Sequence, residues 1–290
     1  MSEYPPVVTV VIPFSPDHTP KGMLFDAVES VLEQRGPVDV RVVVVFDRDH
    51  RGPAWARNRG LRRADTRYVA FLDGDDLWHP EKLSRQLARL SETGAGMCVE
   101  GSPRSTQAFV RGVFVGSIES LTSSILIDTE RVDVEFEESL ARLEDYLFMM
   151  EAASQAGVCF CEDLITVRHH EFGLSSRTDP DLIDRTHRQF AREAEDRVPR
   201  ARPYVPEFYR QFHVRMIWNR WTENEYGKMV HHLRTLLRRA PLHRSLLTWL
   251  SLTVRNWDVV ARHYLSEDAA ESVDGSADST ASGSHSQVTK

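Results

Sequence analysis

An α/β fold is predicted: a Rossmann-like, predominantly parallel mixed sheet flanked by helices, with a helical C-terminal extension. Three observations carry it. Apolar, β-branched runs recur at residues 7–12, 40–46 and 68–72, segments with helical spacing separate them, and each run ends in polar, mostly acidic residues.

Val7-Val8-Thr9-Val10-Val11-Ile12, stopped by Pro13, reads as a buried strand. Between Lys21 and Gln34, residues Leu24, Ala27, Val28, Val31 and Leu32 mark a helix face, which Gly36-Pro37 terminates. Val40 to Phe46 is a second strand, Ala54 to Ala64 a short helix and Tyr68 to Leu72 a third strand. Pro80 opens a helix with Leu83, Leu87 and Leu90 on one stripe and Gly94 at its end. The stretch from Gly101 to Asp133 reads as an irregular mixed-sheet region. Glu144 to Ala156 reads as a helix whose inner stripe is Leu147, Met150 and Ala153, and Val158 to Val167 as one or two short strands.

From Asp181 onward the pattern is helical and rich in Arg, His and Trp. The expected division is a catalytic domain over residues 1–180, a helical region over 181–266 and a tail over 267–290 that is Ser/Gly/Asp-rich and expected to be disordered. Residues 200–264 hold 12 Arg/Lys against 4 Asp/Glu, and residues 227–240 fit a basic amphipathic helix of the kind that lies on anionic lipid. Two readings compete there: helices packing their tryptophans on the catalytic domain, or a peripheral membrane contact.

The 290 residues, 41% of them apolar, suffice for a large α/β core. A formal charge of −7 argues against a nucleic-acid partner. Cys98, Cys159 and Cys161 have neither zinc-site nor disulfide-framework spacing and fit a reducing compartment. Residues 1–6 carry no secretory pattern, and Leu242 to Val260 is interrupted by Arg244, Arg255 and Asp258. The expected location is therefore cytoplasmic, with the membrane reading placing the chain at the inner face of the cell membrane.

In a parallel sheet, ligands sit beyond the carboxyl ends of the strands. There this sequence places Ser15 and Asp17, Asp47 and Asp49, then Asp73-Gly74-Asp75-Asp76. Three carboxylates within four residues repel one another, and a divalent cation with free positions for phosphate oxygens would offset them. An acidic turn capping the next helix is the competing explanation. Arg57-Asn58, just ahead of the third strand, offers a guanidinium for diphosphate oxygens.

Together, Val10-Val11-Ile12-Pro13, Ser30-Val31-Leu32-Glu33-Gln34, Ala56-Arg57-Asn58-Arg59-Gly60-Leu61 and Tyr68-Val69-Ala70-Phe71-Leu72-Asp73-Gly74-Asp75-Asp76 resemble the family 2 glycosyltransferases of GT-A fold. The resemblance implies a nucleotide diphosphate sugar as donor, Mg²⁺ or Mn²⁺ as cofactor, and a glycan, lipid-linked or envelope-polymer acceptor. It implies that Asp47 contacts the nucleobase, that Asp73 lies by the ribose and metal, and that Asp75 binds the metal bridging the diphosphate. Pro13, Ser15, Arg57 and Asn58 fall at donor-binding positions. Glu144-Asp145 is similar to the family's later acidic pair, whose second member is the general base, here Asp145. Arg168-His169-His170 resembles an R-x-H segment in which His170 contacts the diphosphate or metal.

The sequence departs from the family pattern after Asp47, where Asp47-Arg48-Asp49-His50-Arg51-Gly52 is short and leaves Asp49 as a rival for base recognition. A nucleotidyltransferase or phosphohydrolase is the alternative enzyme class. Against it stand the missing Gly-rich loop near the first strand and the missing D-x-D-x-[TV] nucleophile pattern. A non-catalytic nucleotide-sugar-binding module is the third reading.

Overall fold

A computed structural model describes residues 4–118, 122–168 and 179–239. His169, His170, the loop after them, the segment from Leu242 and the tail lie outside the described residues.

Strand β1 (Val7–Phe14) runs parallel to β2 (Asp39–Phe46) on one side and β3 (Tyr68–Phe71) on the other. Helices α1 (Lys21–Leu32) and α2 (Pro53–Leu61) make the two crossovers. A two-residue strand β4 (Leu77–Trp78) precedes α3 (Lys82–Thr93), which closes on Gly94 in the left-handed region at φ 65°. The second half supplies β5 (Met97–Glu100), α4 (Thr106–Phe114), a 3-10 turn at Thr122–Ser124, β6 (Leu126–Asp128), α5 (Glu144–Ala156), β7 (Val158–Cys161) and β8 (Ile165–Thr166). Helices α6 (Pro180–Arg197), α7 (Val205–Thr222) and α8 (Tyr226–Arg239) follow. The main sheet has the order β2-β1-β3-β6-β5-β7, and β4 pairs with β8 beside it.

Strand β6 is antiparallel to both β3 and β5, so the sheet is mixed at its centre, as the sequence predicts. One feature differs from the sequence expectation. The region read as irregular contains α4, which buries Phe109, Val110, Val113 and Phe114 and is capped by Ser105 Oγ accepting from Ala108 N at 3.2 Å. Gly112 obscured this helix, because glycine weakens helical propensity. The packing requires it: a Cβ there would lie 2.3 Å from Ile118 Cδ1. Similarly, Gly60 on α2 lets that helix approach β1, since a Cβ would meet Val11 Cγ1 at 2.2 Å.

Alternating side chains send Val8, Val10 and Ile12 into one core and Val11 into another. The core on the Val11 side also takes Phe190, Ala194, Phe208, Phe212 and Met216 from α6 and α7. The residue-180 boundary therefore marks a change of secondary structure and not a break between cores. Helix α8 packs on α7 through His232 and Leu236, and Trp218 is 52% exposed. No helix among the described residues is long and apolar enough to cross a membrane.

Lys82 is fully buried, its Nζ donating to Gln86 Oε1 at 2.7 Å and sitting 4.0 Å from the centroid of Trp78. Burial pushes its ammonium down to about 7, against weaker opposing effects of Cys98, Cys161 and Glu100. In the folded state the amine binds fewer protons than in the unfolded chain between pH 7 and its ordinary value near 10. This group therefore costs stability below pH 7, and the cost is relieved as pH rises through that window. Lys82→Met should raise the thermal midpoint more at pH 7 than at pH 10; parallel pH profiles for the two proteins would contradict the assignment.

Candidate active site

The carboxyl ends of β1, β2 and β3 bring three sets of polar residues to one edge of the sheet. Asp73 follows β3 directly, and Gly74 passes close to β1, where a Cβ would stand 3.5 Å from Pro13 O. From the other half of the chain, α5 begins at Glu144 and so presents Glu144 and Asp145 in its first turn.

Arg57 joins these two halves. Its Nη2 donates to Asp73 Oδ1 at 2.7 Å and its Nη1 to Glu144 Oε1 at 2.8 Å, with Arg57 only 5% exposed. Burial works against the Arg57 cation, and the Asp73 and Glu144 charges overcome it, so its pKa rises above the ordinary value. Glu144 is raised by burial and by Asp145, with Arg57 pulling the other way. With one bond from each terminal nitrogen, Arg57 organises the acids, while its Nε is buried with no hydrogen-bond partner. Asn58 is also committed: its side chain bonds Phe136 N and O at 2.8 Å each and Glu138 Oε1 at 3.0 Å, anchoring the chain that leads to α5.

A second bridge runs through consecutive residues of the 3-10 turn. Thr122 Oγ1 donates to Asp145 Oδ2 at 3.0 Å, and Asp145 Oδ1 accepts from Tyr146 N at 2.9 Å. Ser123 Oγ accepts from Asp73 N at 3.1 Å and donates to Asp76 Oδ2 at 2.5 Å, while its carbonyl accepts from Trp78 Nε1 at 2.7 Å. No residue pattern marks Thr122 or Ser123, which lie in the stretch read as irregular.

Asp76 is buried, and its second oxygen accepts from Arg168 N at 3.2 Å. Burial first, then the Asp73 charge, pushes its carboxyl up to about 7. Arg168 ties the turn down, with Nε on Asp75 O at 2.5 Å, Nη1 on Asp26 at 2.7 Å and Nη2 on Met23 O at 2.9 Å.

On the β2 side, Asp47 is buried and both its oxygens are used by the following loop, from Arg51 N at 2.9 Å and Gly52 N at 2.7 Å. Asp49 is exposed. Ser15 Oγ is buried with no hydrogen-bond partner, an unmet polar group that a ligand at this edge would satisfy.

Among the described residues no group of three His, Cys, Asp or Glu side chains is arranged to hold a metal. Asp73, which gives one oxygen to Arg57, and Asp75 are the partly exposed acids of this turn that could hold a cation. Two carboxylates, completed by phosphate and water oxygens, fit a hard divalent ion that keeps open positions.

Removing one partner of a buried ion pair leaves an uncompensated charge and costs about 3–5 kcal/mol. Arg57→Ala should lose stability on that scale, read by urea denaturation. Arg57→Lys, whose single ammonium lacks the planar fork spanning both acids, should remain destabilised. Wild-type stability in both variants would show that the bridge does not hold the two halves together.

A model of the Glycosyl transferase family 2 matches residues 26–135. The chain is 31% identical over 147 residues to a Bacillus subtilis protein named as a teichuronic acid biosynthesis glycosyltransferase, covering 42% of this chain and 57% of that one. Over 49 residues, 17% of this chain and 20% of the relative, it is 43% identical to an Escherichia coli UDP-Glc:α-D-GlcNAc-diphosphoundecaprenol β-1,3-glucosyltransferase. The chain spans little more than half the length of the curated relatives it matches over the longest stretches. Its fold is similar to a Pyrobaculum calidifontis mannosyltransferase in complex with GDP-Man and Mn²⁺, with a TM-score of 0.52 and 16% identity over 88% of this chain and 84% of the other. Motif order, mixed sheet and relatives agree: residues 26–135 match the family 2 glycosyltransferases, and the fold is the GT-A fold.

Proposed function

We propose that this chain is an inverting glycosyltransferase that moves a sugar from a nucleotide diphosphate donor to a hydroxyl of a glycan or lipid-linked acceptor, with Asp145 as general base. The observation that carries this reading is the double tie between the acids: Asp73–Arg57–Glu144 on one side and Ser123–Thr122 on the other hold Asp145 beside the strand-end carboxylates.

In the proposed reaction the acceptor oxygen attacks the anomeric carbon opposite the diphosphate. The new glycosidic C–O bond forms as the bond to the β-phosphate oxygen breaks, and the acceptor proton passes to the Asp145 carboxylate. A single displacement inverts the anomeric centre. A divalent ion held by Asp73 and Asp75 would offset charge on the departing diphosphate. Thr122 and the Tyr146 amide fix the orientation of the base, and Glu144, neutralised by Arg57, keeps a second free anion away from it.

The donor class is supported by the UDP-glucose named for one relative and the GDP-mannose named for the structural neighbour, and the metal by that neighbour's Mn²⁺. His170 as a diphosphate or metal contact, and Asp47 or Asp49 as the base-recognising acid, belong to the same proposal. The unpartnered Ser15 hydroxyl supports a donor contact at the end of β1.

Assaying nucleoside diphosphate release across UDP-, GDP- and dTDP-sugars with Mn²⁺ tests the class. Nucleoside monophosphate or orthophosphate as first product would replace it with the alternative chemistry, and donor binding without release would leave a binding module. Asp75→Ala should abolish metal-dependent donor binding by calorimetry. Asp145→Asn should keep donor binding while cutting transfer by about 10²–10⁴-fold; transfer at the wild-type rate would show that another group takes the proton.

A further inference from the structure

The main sheet has two unlike borders. At one, β7 is four residues long; at the other, β2 is eight residues long and pairs with β1 alone among the described residues. At the two ends of β2, Asp39 N donates to Pro6 O at 3.0 Å and Asp47 N donates to Phe14 O at 2.8 Å. Successive residues of a strand point their main-chain groups to opposite sides. The odd-numbered residues of β2 therefore face β1, and Val40, Val42, Val44 and Phe46 turn their N–H and C=O groups outward. Nothing among the described residues bonds those outward groups. Proline, lysine, a bulge or an inward charge usually blunts such an edge. Val42-Val43-Val44-Val45-Phe46 carries none of these, and the one cation on the strand, Arg41, is paired with Asp65 of its own chain.

Helix α1 extends this corner. Asp26, Ser30 and, just beyond the helix, Gln34 bond Arg168, Trp78 N and His79 O, so that flank faces β4 and α3. The opposite flank carries Phe25, 71% exposed, and Leu32, 65% exposed, with half-buried Val28 between them at helical spacing. Val28 packs in the same core as Val40, Val42 and Val44, so this apolar flank lies on the β2 side of the helix. Phe46 is 50% exposed at the end of the strand.

A free strand beside an apolar helix flank is complementary to another copy of itself. Contact about a twofold axis requires the two strands to be antiparallel. Pairing outward groups with outward groups sets Val42 opposite its counterpart and Val40 opposite Val44. In that register Arg41 stands opposite Val43 and Asp39 opposite Val45. A shift of two residues one way sets Arg41 against the second Arg41, and the other way sets Asp39 against Asp47; like charges directly opposite are destabilising. Charge thus selects the register centred on Val42.

We propose that β2 is a dimer seam: two copies join their β2 strands antiparallel into one continuous sheet, and the Phe25–Leu32 flanks of the two α1 helices meet over the seam on one face. The carboxyl ends of the two sets of strands, and the acids they carry, then open in opposite directions.

Sedimentation equilibrium of the full chain over a dilution series should show monomer and dimer in exchange. Hydrogen exchange over residues 39–46 should slow as concentration rises. Val42→Pro deletes an outward N–H that no intramolecular bond uses, so circular dichroism should stay that of the wild type while the dimer dissociation constant rises about 10-fold. Phe25→Glu combined with Leu32→Glu changes only exposed side chains and sets acid against acid across the axis, weakening association on the order of 10-fold or more. A wild-type chain that is monomeric at every dilution, or a dimer indifferent to both variants, overturns the seam. Protection of residues 39–46 that is independent of concentration in a monomer also overturns it, and assigns the edge to another part of this chain.

Discussion

The arrangement depends on a buried cation between two acids from different halves of the chain. Arg57 comes from a helix packed on β1, Asp73 from the end of β3 and Glu144 from the start of α5. A buried guanidinium has a high desolvation cost, which only well-formed charged hydrogen bonds offset. Its two carboxylate bonds therefore tie the carboxyl end of β3 to the helix bearing Asp145. The close approach of Gly60 to Val11 belongs to the same constraint, because it sets how near α2 lies to β1.

This constraint also assigns different roles to adjacent acids. Glu144 is buried and neutralised by Arg57, whereas Asp145 is half-buried and oriented by a hydroxyl and an amide. Asp76 is buried and bonded at both oxygens, whereas Asp73 and Asp75 remain partly exposed. Environment separates carboxylates that sequence presents as equivalent.

Much of this was legible from residue order. The β-branched runs at 7–12, 40–46 and 68–72 form β1, β2 and β3, and the stripe Leu147, Met150, Ala153 is the buried face of α5. These elements have strong local patterns. What was illegible is set by partners distant in sequence. The direction of β6 follows from its pairing with β3 and β5, and α4 hides behind a glycine that tertiary packing requires. Ser123 acquires its role only when β3 and the 3-10 turn meet, 50 residues apart. Arg57 and Asn58 stand out in the sequence, but their partners, Glu144 and Phe136, lie more than 70 positions away.

Leu143 connects these observations. It takes a left-handed backbone at φ 69°, a conformation costly for a bulky residue, immediately before the acidic pair. No capping side chain accompanies it, and the first turn of α5 instead carries Glu144 and Asp145, whose charges suit the positive end of the helix dipole. The strained residue turns the chain abruptly from the segment that Asn58 anchors, lets Glu144 reach Arg57, and packs its own side chain against the core on the Val11 side. An ordinary extended cap would relieve the strain but would alter the direction from which α5 enters the site. Strain at this single residue is thus coupled to the position of Asp145 and the burial of its neighbour.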